Sequence, residues 1–545
     1  MAEHNSWNKK TSSSAKVQQA NHRKKLISFD WRAILGIFAL IGVIVVAILI
    51  NNQDNADSVE EITKAIDIDN GDLKINWDRY ATKDIILSDS LTINQSGTYH
   101  LTGNLDDGCI TIEAGIGEVK LILDNVTINN NSGPAIYGKS AEDIVIELIG
   151  ENTISDGTNY ANSFESDVKG AIYVKSDFTL QGEGDLNVIA NHEDGIVGKD
   201  DLTFRGGNYK ITSIDDAIRG TDSVYITSGN FNIDSKADAI KSTDESNYGK
   251  GFVLIENGNL NIKSSAKGIK ATKNILIENG FFNLDTYDDA IHSDIYLGIV
   301  DGNITINAND DAIHANNTLV IDGGNINITK AYEGIEAQVI TINSGIISVT
   351  AIDDGINTGG GADASATTNR PGGGPFDSDE NCILTINGGE IKIDSSGDGI
   401  DSNGWIYIND GIIVVDGPTN NGNSALDSGL SIIQNGGEIL AVGSSEMAES
   451  ISNTSAINNI SVFFDIEQPA GTTITIKNSN NETIVEHTAI KKFSHLAIGT
   501  DKFVLGSTYT IYLNNERYQD FAIVDTTTTV GDNNQNFNNH ININK

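Results

Sequence analysis

The chain has 545 residues, a net charge of −40, 55 glycines and only 5 prolines. A surface this acidic repels nucleic acid and attracts cations, and abundant Gly, Asn, Asp and Ile favours short strands and tight turns over a helical fold. The length allows several cores or a single elongated repeat domain.

Residues 1–32 form a basic segment, with Lys9, Lys10, Lys16, Arg23, Lys24, Lys25 and Arg32 against Glu3 and Asp30. Ala33 to Ile50 then runs for eighteen residues without a charge. At about 1.5 Å of rise per residue this predicts a transmembrane helix over 33–50. Basic residues stay on the cytoplasmic side, so 1–32 is read as cytoplasmic and the rest as extracytoplasmic. Val45-Val46-Ala47 is a poor cleavage site, which favours an uncleaved anchor over a signal peptide. The first 32 residues carry net +5, leaving −45 beyond them. Residues 51–76 read as a linker.

From there one phrase recurs: acidic residues, a small residue and an aliphatic, as in Asp215-Asp216-Ala217-Ile218 and Asp310-Asp311-Ala312-Ile313. The aliphatic falls at Ile172, Ile196, Ile218, Ile240, Ile269, Ile291, Ile313, Ile335, Ile356, Ile400 and Leu426, most often 21 or 22 residues apart. Around Gly207, Gly229, Gly258, Gly280, Gly302, Gly324, Gly345, Gly389 and Gly411, the positions at −5, −3, +2 and +4 are apolar or Tyr in all 36 cases. Alternation of this kind means strands with one buried face, and the glycine supplies the bend between them. With a third short strand at the aliphatic, each coil is a flattened triangle stacked about 4.8 Å from the next. The predicted class is all-β, a parallel β-helix with about 22 residues per coil over 77–454. A propeller built of hairpins is the alternative; a leucine-rich repeat is excluded by the lack of a Leu framework.

The longer steps in the series hold insertions near Glu245 to Lys250 and from Gly359 to Asp379, the second a Gly-rich loop. Residues 455–527 lose the repeat and read as a small C-terminal antiparallel β cap, with strands at Ser461–Phe464, Thr473–Ile476, Thr483–Val485 and Tyr509–Tyr512. The Asn-rich tail over 528–545 reads as disordered. Cys109 and Cys382 show no metal-binding spacing and receive no role.

Gly97-Thr98-Tyr99-His100-Leu101-Thr102-Gly103, the segment Leu121 to Ile128, Pro134-Ala135-Ile136, Asn152 to Gly157 and the repeated Asp-Asp-Ala-Ile phrases make a pattern spanning Trp77 to Val524. It resembles the bacterial carbohydrate-binding-domain family of parallel β-helix surface proteins, related in fold to polysaccharide lyase family 9. The resemblance implies a right-handed solenoid, calcium held by stacked carboxylates, and affinity for plant-type polysaccharides, acidic ones included. Combined with the apolar run, it implies a single-pass protein of a bacterial cell membrane with its bulk at the cell surface.

Stacking turns equivalent positions into columns. Two residues before the aliphatic stand Asp194, Asp216, Asp238, Lys267, Asp289, Asp311, Glu333, Asp354 and Asp398. Unit charges about 5 Å apart repel by roughly 3 kcal/mol at an effective dielectric of 20, so such a ladder wants cations. Asp288, Asp289, Asp310 and Asp311 are expected to hold one calcium ion, and Glu333, Asp353 and Asp354 a second. The alternative is that these carboxylates cap turns by accepting backbone N–H groups.

One residue after the aliphatic, and expected to face outward, stand Arg219, Lys241, Lys270, His292, His314, Glu336, Asn357 and Asp401. Arg219, Lys241 and Lys270 are candidate bases for a calcium-dependent lyase, although lysines among acids have raised pKa values and simple charge neutralisation is favoured. His292 and His314 are expected to stack in solvent at a carbohydrate surface, with binding of a transition metal the lesser alternative. Trp405 and Tyr407 alternate with inward Ile406 and Ile408, and sugars stack on such exposed rings; the equal alternative is that the pair contacts the Gly-rich loop or the C-terminal cap. The leading expectation is non-catalytic binding of polysaccharide with calcium on the acidic ladders. A pectate-type lyase acting by β-elimination and a structural adhesin or spacer are the alternatives.

Overall fold

The computed structural model describes residues 58–68, 70–359 and 378–531. The basic segment over 1–32, the apolar run over 33–50, most of the Gly-rich insertion and residues 532–545 of the Asn-rich tail lie outside these residues; the start of that tail, read as disordered, instead belongs to the strand Thr527–Val530, paired in parallel with Asn459 to Val462. Among the described residues no helix is long and apolar enough to cross a membrane.

Thr82 onward winds into a parallel β-solenoid of about fifteen coils. One coil comprises Ile291–Ser293, Tyr296–Ile299 and Asn303–Asn307, each hydrogen-bonded in parallel to its equivalents above and below. The predicted aliphatics pair in one register from Ile172 through Ile313 to Leu426, and Ile136 of an earlier coil joins the same line. From Ile218 to Ile400 they are completely buried, forming the spine of a single core. The frame glycines also stack. Gly324 has φ of +95°, and a Cβ there would stand 3.0 Å from the carbonyl oxygen of Gly302 in the preceding coil. A side chain is excluded twice over, by backbone conformation and by the close approach of the coils.

The final coil does not end in an open edge. Glu438–Gly443 pairs antiparallel with Phe493–Gly499, which pairs in turn with Asn459–Gln468. Beside them lies a separate antiparallel sheet ordered Thr483–Thr488, Thr473–Asn478, Thr508–Leu513 and Glu516–Ala522. Its apolar face, including Ile474, Ile476, Tyr509 and Ile511, packs into a second core with Phe464 and Phe493. All four predicted cap strands are present; the edge of the last coil, which would otherwise template aggregation, is covered by Phe493–Gly499, a strand the sequence reading did not single out.

The predicted linker is partly structured. Val59–Lys64 is a short helix whose Val59 and Ile62 pack on Phe252, Leu254, Leu276 and Val320, on the outside of one solenoid face. Gly298 lies beneath them, where a Cβ would stand 3.1 Å from Ile62 Cδ1, so the missing side chain lets the helix sit close. Farther along, Asp72 pairs with Arg205, whose Nη2 lies 3.1 Å from Asp72 Oδ1.

Candidate functional site

The acidic column runs as one line along the solenoid corner, and its first duty is to the backbone. Asp194 Oδ1 accepts the N–H of Asp216 at 3.2 Å, Asp216 Oδ1 that of Asp238 at 3.1 Å, and Asp238 Oδ1 that of Lys267 at 3.0 Å. The pattern resumes with Asp289 to Asp311, Asp311 to Glu333 and Asp354 to Asp398. Turn capping, the alternative to calcium, thus accounts for one oxygen of each of these six aspartates.

The second oxygen meets different partners along the column. In the earlier coils it meets the protein's own cations: Arg219 lies 2.5 Å from Asp194 Oδ2, and Lys241 lies 2.8 Å from Asp238 Oδ2 and 3.5 Å from Asp216 Oδ2. Lys267 bridges Asp288 at 2.9 Å and Asp289 at 2.6 Å. Its ammonium therefore sits against two of the four carboxylates expected to share the first calcium ion. Burial pushes Asp289 up, but His292 and Lys267 outweigh it and hold the carboxyl below the usual range. Asp310 is half-buried beside Asp288 and Asp289.

The later coils are different. Burial and the charges of Asp401, Asp398 and Asp353 push Asp354 up to about 9. Burial raises Asp398 to about 7, and Glu333, whose Oε2 accepts from Asn357 at 2.7 Å, is raised by burial and by Glu336, Asp311 and Asp354. Oδ1 atoms of Asp353 and Asp354 converge over Gly397, where an added Cβ would collide with both. These oxygens suit the donor preference of calcium, and Asp354 Oδ1 there also accepts the N–H of Asp398; around Lys267 its ammonium already neutralises Asp288 and Asp289.

Two expectations of exposure are corrected. His292 is 3% exposed and His314 fully buried, although both follow the inward aliphatic and were expected in solvent. Their rings stack with centroids 4.7 Å apart. Asp289 and Asp294 cover His292 from either side, at 2.7 and 2.9 Å, so pointing away from the core does not bring the ring to water. Glu336 and Asn357 of the same column are buried too. Burial pulls the His314 pKa down, but Asp311 and Glu336 outweigh it and push the imidazole up to about 11.

Of the candidate bases, Arg219 and Lys241 are tied to the carboxylates named above, and Lys270 stands half-buried between Lys241 and His292 in the column. Burial lowers the Lys241 pKa, yet Asp238 and Asp216 leave it above its ordinary value, opposite to the requirement for a base.

Trp405 and Tyr407 project together, half-exposed, with rings 5.9 Å apart and 16° from parallel. In the adjoining coils Ile383 and Ser431 flank Trp405, and Thr385 and Ile433 flank Tyr407. On another face the structure reveals an open groove of about 410 Å³ among Asn230, Asn232, Asn259, Asn261, Asn283 and Phe281. The amides donate from coil to coil, as from Asn259 to Asn230 and from Asn283 to Asn261, and Phe281 is 60% exposed. The signal for it was the Asn recurring on the polar side of the strand after the frame glycines from Gly207 to Gly324.

A family model described as carbohydrate-binding domain-containing protein matches residues 88–334 and 285–416, together more than half of the chain. A carbohydrate-binding domain-containing protein of Acetivibrio thermocellus is 37% identical over 124 residues, 22% of this chain and 43% of that protein. The match thus spans less than half the length of this relative. A solved structure described as the polysaccharide lyase-like protein from C. thermocellum, gadolinium derivative, is 26% identical and covers 47% of this chain and 96% of that one, with a TM-score of 0.34. On the extent of the family match, the chain belongs to the carbohydrate-binding domain-containing protein family.

Proposed function

We propose that this protein binds polysaccharide non-catalytically on the outer faces of its solenoid, as a surface protein held to a bacterial membrane by residues 33–50. The carrying observation is the pair of nearly parallel, half-exposed rings of Trp405 and Tyr407 in a chain of a carbohydrate-binding family. Two rings side by side offer stacking surface to successive sugars, and the amide groove around Phe281 supplies hydrogen-bonding partners for hydroxyl groups. Calcium is proposed at Glu333, Asp353 and Asp354, with Asp398 adjoining, where it would neutralise the carboxylates and present a positive charge to uronates. The ion pairs of Arg219 and Lys241 give no support to the lyase alternative.

Gel electrophoresis through embedded polysaccharides, acidic and neutral, tests this reading. The full chain is expected to be retarded by at least one of them, and Trp405→Ala with Tyr407→Ala to weaken that retardation by about tenfold or more. Retardation unchanged in the double variant would remove the ring pair from the binding surface. Mobility unaffected by any polysaccharide would favour the spacer.

A further inference from the structure

One imidazole in the middle of the solenoid lies between two carboxylates and cannot satisfy both. His314 and Asp311 are completely buried, and Glu336 is 7% exposed. Glu336 is brought over His314 by the in-register pairing of their coils. His314 Nε2 stands 2.9 Å from Asn316 Oδ1. An amide oxygen only accepts, so Nε2 carries a hydrogen and donates it. Nδ1 is left facing Asp311 Oδ2 at 3.2 Å and Glu336 Oε2 at 2.8 Å. A ring nitrogen bears at most one hydrogen, and the approach to Asp311 has hydrogen-bond geometry. Glu336 Oε2, shut off from solvent, has the electrostatic contact with Nδ1 but no well-aligned hydrogen bond. Burying a carboxylate oxygen in that condition is costly, and native structures seldom do so without a functional reason.

We infer that Asp311, His314 and Glu336 form a binding site for one small divalent transition-metal ion of the zinc class. Their donor atoms lie within 4.8 Å of one another. An ion with ligand bonds of about 2.0 to 2.2 Å sets neighbouring donors about 2.9 to 3.5 Å apart, close to the separations at Nδ1. In that position the ion takes the place of the Nδ1 hydrogen and bonds Glu336 Oε2 directly. A nitrogen with two carboxylates suits zinc, manganese or iron, whereas calcium takes oxygens alone. The Nε2 contact with Asn316 is the outer hydrogen bond that fixes tautomer and ring orientation in metal-bound histidines. One coil earlier the equivalent His292 contacts Asp289 and Asp294, and Lys267 supplies the added positive charge. At His314 the next coil brings a carboxylate instead of a cation. The site is separate from the proposed glycan surface, and it adjoins Glu333 of the proposed calcium cradle, which feels the charges of Glu336 and Asp311.

The test uses the full chain, refolded after chelation with either zinc or cobalt(II), with metal content and cobalt absorption as readouts. One equivalent per chain is expected, a rise in melting temperature with it, and no displacement by excess calcium. His314→Gln and Glu336→Gln should each weaken zinc binding by at least about tenfold, and in His314→Gln the response of melting temperature to calcium should persist. No uptake by the unsubstituted chain, or equal uptake by folded variants, overturns the inference. Should a variant fail to fold, the unsubstituted chain decides: an unchanged melting temperature with zinc contradicts the site.

Discussion

In the presence of chelator, the melting temperature will fall steadily as pH is raised from about 5 to about 9. Burial pushes Asp354 to about 9 and Asp194, Asp398 and Glu449 to about 7, all above their ordinary carboxylate values. A group whose folded pKa is raised binds its proton more tightly in the folded state. Its stabilising contribution is therefore complete below the unfolded pKa, near about 4, and is lost as pH rises through the folded value. Each such proton contributes a slope on the order of 1 kcal/mol per pH unit, and the slopes of the separate groups overlap between about pH 4 and pH 7. Calcium should flatten the decline, because it favours the ionised oxygens over Gly397, and Asp353→Asn with Asp354→Asn should remove the calcium effect. Thermal scans across the pH range check this. A melting temperature constant or rising over the interval would contradict the burial of uncompensated carboxylates.

The second expected result concerns two adjacent isoleucines. Ile346 is 58% exposed and Ile347 only 1%, since successive side chains of Ile346–Ala351 point to opposite sides of the strand. Ile347→Ala removes atoms from the continuous core and should cost about 2 to 5 kcal/mol. Ile346→Ala should stay within about 0.5 kcal/mol. Urea titration gives the comparison, and hydrogen exchange at the neighbouring coils shows whether the loss is local, as it tends to be where each repeat contacts only its neighbours. Equal losses, or a larger one at Ile346, would mean a strand slipped by one residue.

The register was readable in advance because solenoid repeats place the same constraint on every coil. The apolar positions about each frame glycine, the inward spine from Ile172 to Leu426 and the cap strands all appear where alternation and spacing put them. Alternation states which way a side chain points, not what covers it. That is why His292 and His314, on the outward side of the spine, are sealed by the acidic turns of their own column. The Val59–Lys64 helix was missed because six residues with two apolar positions carry too little periodicity, and its stability comes from the solenoid face beneath it. The doubled acids had two readings in the sequence: Oδ1 of most column aspartates caps the turn of the next coil, and in the earlier coils the other oxygen meets Arg219, Lys241 or Lys267.

Polygalacturonate provides the most direct trial of the proposed role. The full chain, with calcium present, is passed over the immobilised polymer and separately incubated with it while ultraviolet absorbance follows any unsaturated product. The account predicts retention with no product. Product that disappears in Lys241→Ala or Lys270→Ala would contradict it by establishing a lyase.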